Sequence, residues 1–277
     1  MLPSVAYEDD DLLIINKPAG IGFHDEEDGT KGILSVIRTM QAQGLFHYTG
    51  RLHGVHRLDK VTSGCLILAK TPSAAGEAIS ALRDKRVAKY YVALSDKKPS
   101  KKQGTVSGDM ERTRRSAWRL TNTRVSPAVT RFIQQTFTTS MEEGTREEQQ
   151  LRMFVMRPLS GKTHQLRVAL RALAAPILGD VLYYPGGIAK KMDRTYLHAA
   201  ALRVPMGDSL VQVVVPPWET EGKLFSSPEF RTCFSSLFPD KLHLNTDTWF
   251  ATERGTLFSD PAQLLYKKNT LRDGAGE

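Results

Sequence analysis

The sequence predicts an α+β protein built on a mixed sheet. Apolar runs of strand length recur along the chain, and they outnumber the segments with helical periodicity. The helical segments interrupt the strands rather than alternate with them, which argues against a doubly wound parallel fold. At 277 residues the chain is within reach of one large domain with two lobes.

The elements follow in order. Residues 12–15, all Leu or Ile, come after an acidic turn and before Asn16-Lys17-Pro18-Ala19-Gly20, so they read as a buried strand ended by Pro and Gly. Ile33, Ile37 and Met40 recur at helical spacing, with Gly44 as the stop. Residues 64–70 read as a central strand. Thr71 and Pro72 then form an N-cap and first-turn pair, opening a helix with Ala75, Ala78, Ile79 and Leu82 on one face. Residues 87–94, rich in Tyr and Val, are a strand, and 97–104 a basic polar connection. Residues 105–137 read as several strands turning at Asn122 and Pro127. The polar stretch 140–150 is an exposed hairpin tip or mobile loop, and 151–157 a strand.

Residues 163–173 read as a helix with Leu166, Ala169, Leu170 and Leu173 inward. His164, Arg167 and Arg171, three and four apart, share another face. Pro176-Ile177-Leu178-Gly179-Asp180 turns into an irregular Tyr/Pro/Gly-rich loop, and residues 210–215 form a strand stopped by Pro216-Pro217. Beyond about residue 220 the segments are short and mixed, and 273–277 reads as a frayed end. There is no internal repeat and no long low-complexity tract.

The composition, 40% hydrophobic and 25% charged, is that of an ordinary soluble globule. No apolar run approaches the length of a membrane span, and residues 1–11 are acidic, without the basic and apolar regions of a secretory signal. Cys65 and Cys233 show no paired spacing, which suggests a reducing compartment, and Cys65 belongs to the core. The expected location is the cytoplasm. The formal charge of +8 favours a polyanionic partner. The basic residues cluster at Lys97, Lys98, Lys101 and Lys102, at Arg112, Arg114, Arg115 and Arg119, and at Lys190, Lys191 and Arg194. None of these groups has the apolar helical face of a membrane-surface anchor, so no membrane partner is expected.

Three segments hold residues suited to chemistry. Gly54-Val55-His56-Arg57-Leu58-Asp59-Lys60-Val61-Thr62-Ser63-Gly64 sets one carboxylate between basic residues and a small-residue turn, at the mouth of a buried strand. Alone, such an Asp is a turn or cap residue. Val87-Ala88-Lys89-Tyr90-Tyr91-Val92-Ala93-Leu94 places Lys89 and Tyr91 on one strand face and Tyr90 on the other. Alone, either Tyr is an ordinary half-buried strand residue. The third segment is Pro158-Leu159-Ser160-Gly161-Lys162-Thr163-His164-Gln165-Leu166-Arg167. Its Gly-Lys-Thr is similar to the end of a phosphate-binding loop, but that motif needs Gly where this chain has Met156, so nucleotide hydrolysis is rejected. His53 and His56 lack a Cys pair or an HExxH partner, so no metal site is expected.

In this order the three segments resemble the motifs of the RluA-type pseudouridine synthases, which isomerise uridine in structured RNA. The resemblance covers about residues 5–217. The family more often has Arg in place of Lys162 and Ile in place of Leu166; both departures are mild. Residues 177–180 and 197–200 also resemble late family segments. The resemblance implies a bent, mostly antiparallel central sheet crossed by an RNA-binding cleft. It implies a catalytic domain over residues 1–220, with no S4-type domain ahead of it, and an extension over 221–277 without an assigned role. The partner would be structured RNA, tRNA or rRNA, acted on by a monomer.

The implied reaction breaks the uracil N1–ribose C1′ bond, turns the base and joins C5 to C1′. It is an isomerisation and calls for no redox cofactor and no metal. Asp59 would attack C1′ covalently or act as a base at C2′. Tyr91 would stack on uracil, its hydroxyl assisting transfer of the C5 proton. Arg167 would pair with Asp59, its planar fork favouring the ionised carboxylate. Arg57 would fill the stack vacated by the extruded uridine. His56 would order the loop or touch phosphate, and Lys89, His164 and Arg171 would be further RNA contacts. Two other classes compete. A catalytically silent RNA-binding module would not need Asp59, Tyr91 and Arg167 together. An RNA N-glycoside hydrolase must activate water, and the three motifs supply no second carboxylate.

Overall fold

The computed structural model describes residues 1–140, 148–220 and 222–238. The centre of the expected 140–150 tip and all of 239–277, including the frayed end, lie outside the described residues.

The first two strands, β1 (Ser4–Glu8) and β2 (Leu12–Lys17), pair antiparallel, and every residue of β2 is buried. Helix α1 (Ile33–Ala42) buries Ile33, Ile37 and Met40, and Gly44 follows in the left-handed region, as the spacing predicts. A two-residue strand β3 (His53–Gly54) precedes the fully buried β4 (Ser63–Ala69). The Thr71 side chain accepts the Ala74 N–H and caps α2 (Pro72–Arg83). This helix buries Ala74, Ala75, Ala78 and Ala81, whereas Ile79 is turned outward. The alanines let the helix lie close to the sheet, so its inner face is shifted from the one the sequence suggested.

Strand β5 (Ala88–Ser95) is followed by β6 (Gln103–Gly108) and by a separate hairpin, β7 (Met110–Arg112) and β8 (Trp118–Leu120). The long strands β9 (Ala128–Ser140) and β10 (Glu148–Pro158) pair along their whole length. Helix α3 (Gln165–Ala172) is shorter than the expected 163–173 because His164 sits in the left-handed region, at φ 55°. Strands β11 (Leu197–Met206) and β12 (Ser209–Val214) complete the sheet. The short helix α4 (Lys223–Ser226) and α5 (Pro228–Leu237) follow.

Among the described residues the main sheet runs β1-β2-β4-β11-β5-β10-β9-β6, with β12 added to β11 and β3 to β4. All pairings are antiparallel but one: β4 and β11 run parallel where Ser63 meets His198 and Gly64 meets Ala199. The result is a mixed, mostly antiparallel sheet with flanking helices. No helix of the described residues is long and apolar enough to cross a membrane.

The parallel junction is bound tightly. Arg194 donates to Ser63 Oγ at 2.6 Å, Ser63 Oγ is 2.8 Å from His198 Nδ1, and His198 Nε2 is 2.9 Å from the Val215 carbonyl. Arg194 thus faces inward and does not join Lys190 and Lys191 in a surface cluster. Its guanidinium lies 5.1 Å from the Phe225 ring and also donates to the Thr220 carbonyl. Leu224, Phe225, Phe230 and Phe234 are buried, and Thr139 donates to Glu229 at 2.9 Å. The helices after residue 220 are therefore packed on the main sheet rather than set apart from it.

Gly64 has φ +105°, and a Cβ there would fall inside contact distance of the Ala199 carbonyl. Gly20 has φ +88° but open space around it. Gly64→Ala should therefore cost about 2 to 5 kcal/mol, the sum of a left-handed backbone and a steric overlap, and Gly20→Ala only about 1 to 2 kcal/mol. Urea titration of both variants checks the contrast; equal losses would show that close strand approach at Gly64 is unimportant.

Candidate active site

The β3–β4 loop carries Asp59 and is anchored on both sides. Val55 and Leu58 are buried before it, and Thr62 and Ser63 after it. The turn closes through the Thr62 N–H and the Asp59 carbonyl at 3.0 Å, and Gly20 N–H donates to the Lys60 carbonyl at 2.7 Å. His56 holds the loop from behind, its Nε2 accepting the Ile67 N–H at 3.1 Å, between the stretches where β4 pairs with β11 and with β3. Burial, and then Lys89, push the His56 pKa down to about 3. His56 is therefore a neutral loop-ordering residue. Its Nδ1 has no hydrogen-bond partner within the described residues, and His56 also lines the depression beside the cleft.

A cleft opens above this loop. Asp59, Tyr91 and Arg167 line it together with Arg57, Lys89 and His164, and Asp59 is the one carboxylate among its lining residues. Strand alternation on β5 holds: Lys89 and Tyr91 face the cleft, whereas Tyr90 is fully buried on the other side, with the Arg157 guanidinium 5.7 Å from its ring. Arg171 is not among the lining residues. Its guanidinium lies 5.9 Å from the Tyr183 ring, one helical turn farther from the cleft. His164 and Arg167 contact the same ring, so the shared helix face is as expected.

The partnership of Arg167 differs from the expected one. Its Nε and one terminal nitrogen donate to the two oxygens of Asp180 at 2.7 and 2.8 Å. Only the remaining nitrogen, Nη1, faces Asp59, at 3.6 Å. The two-pronged contact thus belongs to Asp180, which is fully buried and also accepts the Leu182 and Tyr183 N–H groups at 3.0 and 3.3 Å. Burial opposes the Arg167 charge, but the hydrogen bonds and charge of Asp180, with Asp59 added, raise its pKa. Geometry explains the choice. The Asp180 side chain has no exposed surface and takes the fork, while Asp59 stays partly exposed at the cleft floor.

Two more residues escaped the sequence reading. Lys17, at the end of β2, has no exposed surface, and its Nζ donates to the Pro18 and Ile21 carbonyls at 2.8 and 2.9 Å. Burial and nearby Arg194 lower its pKa to about 7, while Asp59 pulls the other way. A lysine ending a fully buried strand, after Leu12 to Ile15 and Asn16, was the available signal. Tyr183 joins the β7–β8 hairpin to the site: its hydroxyl accepts the Trp118 N–H at 2.9 Å and meets His164 Nδ1 at 2.9 Å. Burial, then Arg167, lower the His164 pKa, so this imidazole is neutral. Burial, then Asp59, raise the Tyr91 pKa, leaving a neutral phenol beside the carboxylate. The resting phenol can stack and donate a hydrogen bond; it is not a ready base.

The sequence profile of the family described as RNA pseudouridylate synthase matches residues 11–172, more than half of the chain. The chain belongs to this family. A Haemophilus influenzae protein described as an uncharacterized RNA pseudouridine synthase is 39% identical over 224 residues, covering 81% of this chain and 91% of that one. A Vibrio parahaemolyticus protein named ribosomal large subunit pseudouridine synthase C is 30% identical over 222 residues, or 76% of this chain and 65% of its own length. Among solved structures, human RNA Pseudouridylate Synthase Domain Containing 1 aligns with a TM-score of 0.63 at 24% identity, over 83% of this chain and 87% of that one, a likeness of fold. The protein is thus an RNA pseudouridine synthase, an isomerase acting on RNA.

In this synthase Asp180 is the residue that fixes the reach of Arg167. Asp180→Asn should lower stability by about 3 to 5 kcal/mol, the range for breaking a buried pair. At a temperature where the variant stays folded, kcat should fall and KM change little. Denaturant titration and single-turnover kinetics measure the two effects. A wild-type kcat in this variant would show that Arg167 is oriented by something else.

Proposed function

We propose that the enzyme forms pseudouridine at the Asp59 carboxylate, in structured RNA of the large ribosomal subunit. One observation carries the catalytic part: Asp59 is the one carboxylate lining a cleft that also presents Tyr91 and the free nitrogen of Arg167. A carboxylate oxygen facing the ribose serves either route, attack on C1′ or proton removal at C2′. In both, the N1–C1′ bond breaks, the base turns against Tyr91, C5 bonds to C1′, and the C5 proton leaves. Arg167 Nη1 favours the charged carboxylate at the start and can follow charge as it moves to the base. Arg57, exposed at the rim, is long enough to occupy the stack vacated by the uridine.

The same cleft disfavours hydrolysis of the base–sugar bond, since no second lining carboxylate is present to activate water. The choice of ribosomal RNA over tRNA is supported by the name of the Vibrio relative, a ribosomal large subunit pseudouridine synthase. Mapping pseudouridine in rRNA and tRNA from cells with and without the gene tests it; loss confined to tRNA would overturn this choice.

Asp59→Asn should reduce pseudouridine formation by roughly 10²- to 10⁴-fold or more, with RNA affinity close to wild type. A variant checked for absence of deamidation that still turned over at a comparable rate would remove Asp59 from the chemistry.

Tyr91→Phe keeps the ring and loses the hydroxyl, so single-turnover rates should fall by about 10²-fold. Tyr90→Phe should be mild, because Tyr90 faces the opposite side of β5. The reverse ranking would move the site to the other strand face.

A further inference from the structure

Beside the catalytic cleft the surface continues into two further depressions. Lys89, Ser160 and Gly161 wall both the cleft and the first depression, and Lys85, Arg157 and Gly161 wall both the first and the second. Together they form one trough leaving the active site along the 158–162 loop. Its walls carry Arg83, Lys85, Lys89, Arg131, Arg157 and Lys162, and no carboxylate is among the lining residues of either depression. These cations come from the end of α2, β5, β9, β10 and the loop before α3, so only folding makes them neighbours. The outward-turned Ile79 and half-buried Leu82 add an apolar wall to the first depression.

Of the basic residues singled out by sequence, Arg119 holds Glu111 at 2.9 Å, Lys97 holds Asp96 at 3.0 Å, and Arg194 faces inward. Among the trough residues, Arg83 pairs with Asp84 at 3.4 Å and Arg157 is buried against the Tyr90 ring. In the trough, Lys162 Nζ contacts the neutral Ser126 hydroxyl at 3.0 Å, and Lys85 is exposed.

Lys85 has a second distinction. It follows the C-cap Asp84 of α2 with φ +59°, a position where the backbone favours glycine. A lysine is strained there, and its side chain projects into the trough instead of stabilising the turn.

We propose that this trough is the track for the sugar–phosphate backbone of the nucleotides adjoining the target uridine, with Lys85 and Arg131 as phosphate contacts. The proposal rests on RNA as substrate. The trough is continuous with the cleft, lined by basic side chains with no carboxylate among them, and walled on one side by apolar groups. A single strand needs such a path once the uridine is turned out of its stack.

The test uses the full chain and an unmodified transcript of a large-subunit rRNA hairpin with single-stranded flanks. Lys85→Gly should keep or raise the melting temperature, because the turn loses its strain. Its RNA affinity should nonetheless fall by up to about fivefold at moderate salt, the upper range of one exposed ion pair. The slope of log affinity against log salt should become shallower by roughly 0.7, one single-strand phosphate contact. Arg131→Gln should act in the same direction, and the double variant should add both changes. Arg38→Gln removes the same charge from the exposed side of α1, away from the trough, and should leave the slope close to wild type.

Wild-type slopes in both Lys85→Gly and Arg131→Gln, or an equal loss in Arg38→Gln, would overturn the proposal. Deleting the flanks from the transcript should erase the difference between wild type and Lys85→Gly; a difference that persists would also overturn it. Pseudouridine in the same transcript is scored separately. Its absence with wild type, alongside the expected binding changes, counts against this RNA as substrate and not against the trough.

Discussion

The buried pair between Arg167 and Asp180 fixes the floor of the cleft. A guanidinium with two of its nitrogens held by one carboxylate has little rotational freedom, so its third nitrogen points in a set direction. That direction is toward Asp59. The 3.6 Å separation leaves Asp59 near a positive charge without taking up its oxygens in short hydrogen bonds. A carboxylate locked in two-pronged hydrogen bonds would have to break them before reaching a ribose. Giving that contact to Asp180 leaves the Asp59 oxygens outside any two-pronged contact.

Around this pair the fold arranges charge at different depths. Lys17 lies beneath the loop, tied to two carbonyls, and is drawn toward neutrality by burial while Asp59 favours its charge. Tyr91 is held neutral by burial and by the same carboxylate. His56 and His164 are neutral for the same leading reason, loss of solvent. The exposed cations Arg57 and Lys85 are thus at the rim and in the adjoining trough, while these inner groups are shielded from solvent.

The single parallel pairing in the sheet brings these groups together. Where β4 meets β11, the Asp59 loop lies against the segment that carries Arg194 and His198, and β5 on the other side of β11 brings in Tyr91. Gly64 permits the contact because no side chain intervenes. Phe225 of α4 and Thr220 just before it meet Arg194 at this junction, and the buried Phe230 and Phe234 of α5 make the described residues up to 238 part of the same core.

Much of this protein was legible in its sequence because local patterns encode local physics. Strand-length apolar runs marked β2, β4 and β5, Thr71-Pro72 marked the start of α2, and alternation separated Tyr91 from Tyr90. Family motifs pointed to Asp59, Tyr91 and Arg167, and the cleft brings all three together. Other features have no local pattern to read. Burial of Lys17, pairing of Arg167 with Asp180 thirteen residues away, inward rotation of Arg194 and assembly of a trough from five elements each depend on which surfaces meet after folding. Sequence spacing determined which residue types face one side of a strand or helix. Tertiary packing decided which charges lost their water and which partner replaced it, because desolvation and ion pairing are set by three-dimensional neighbours rather than by position along the chain.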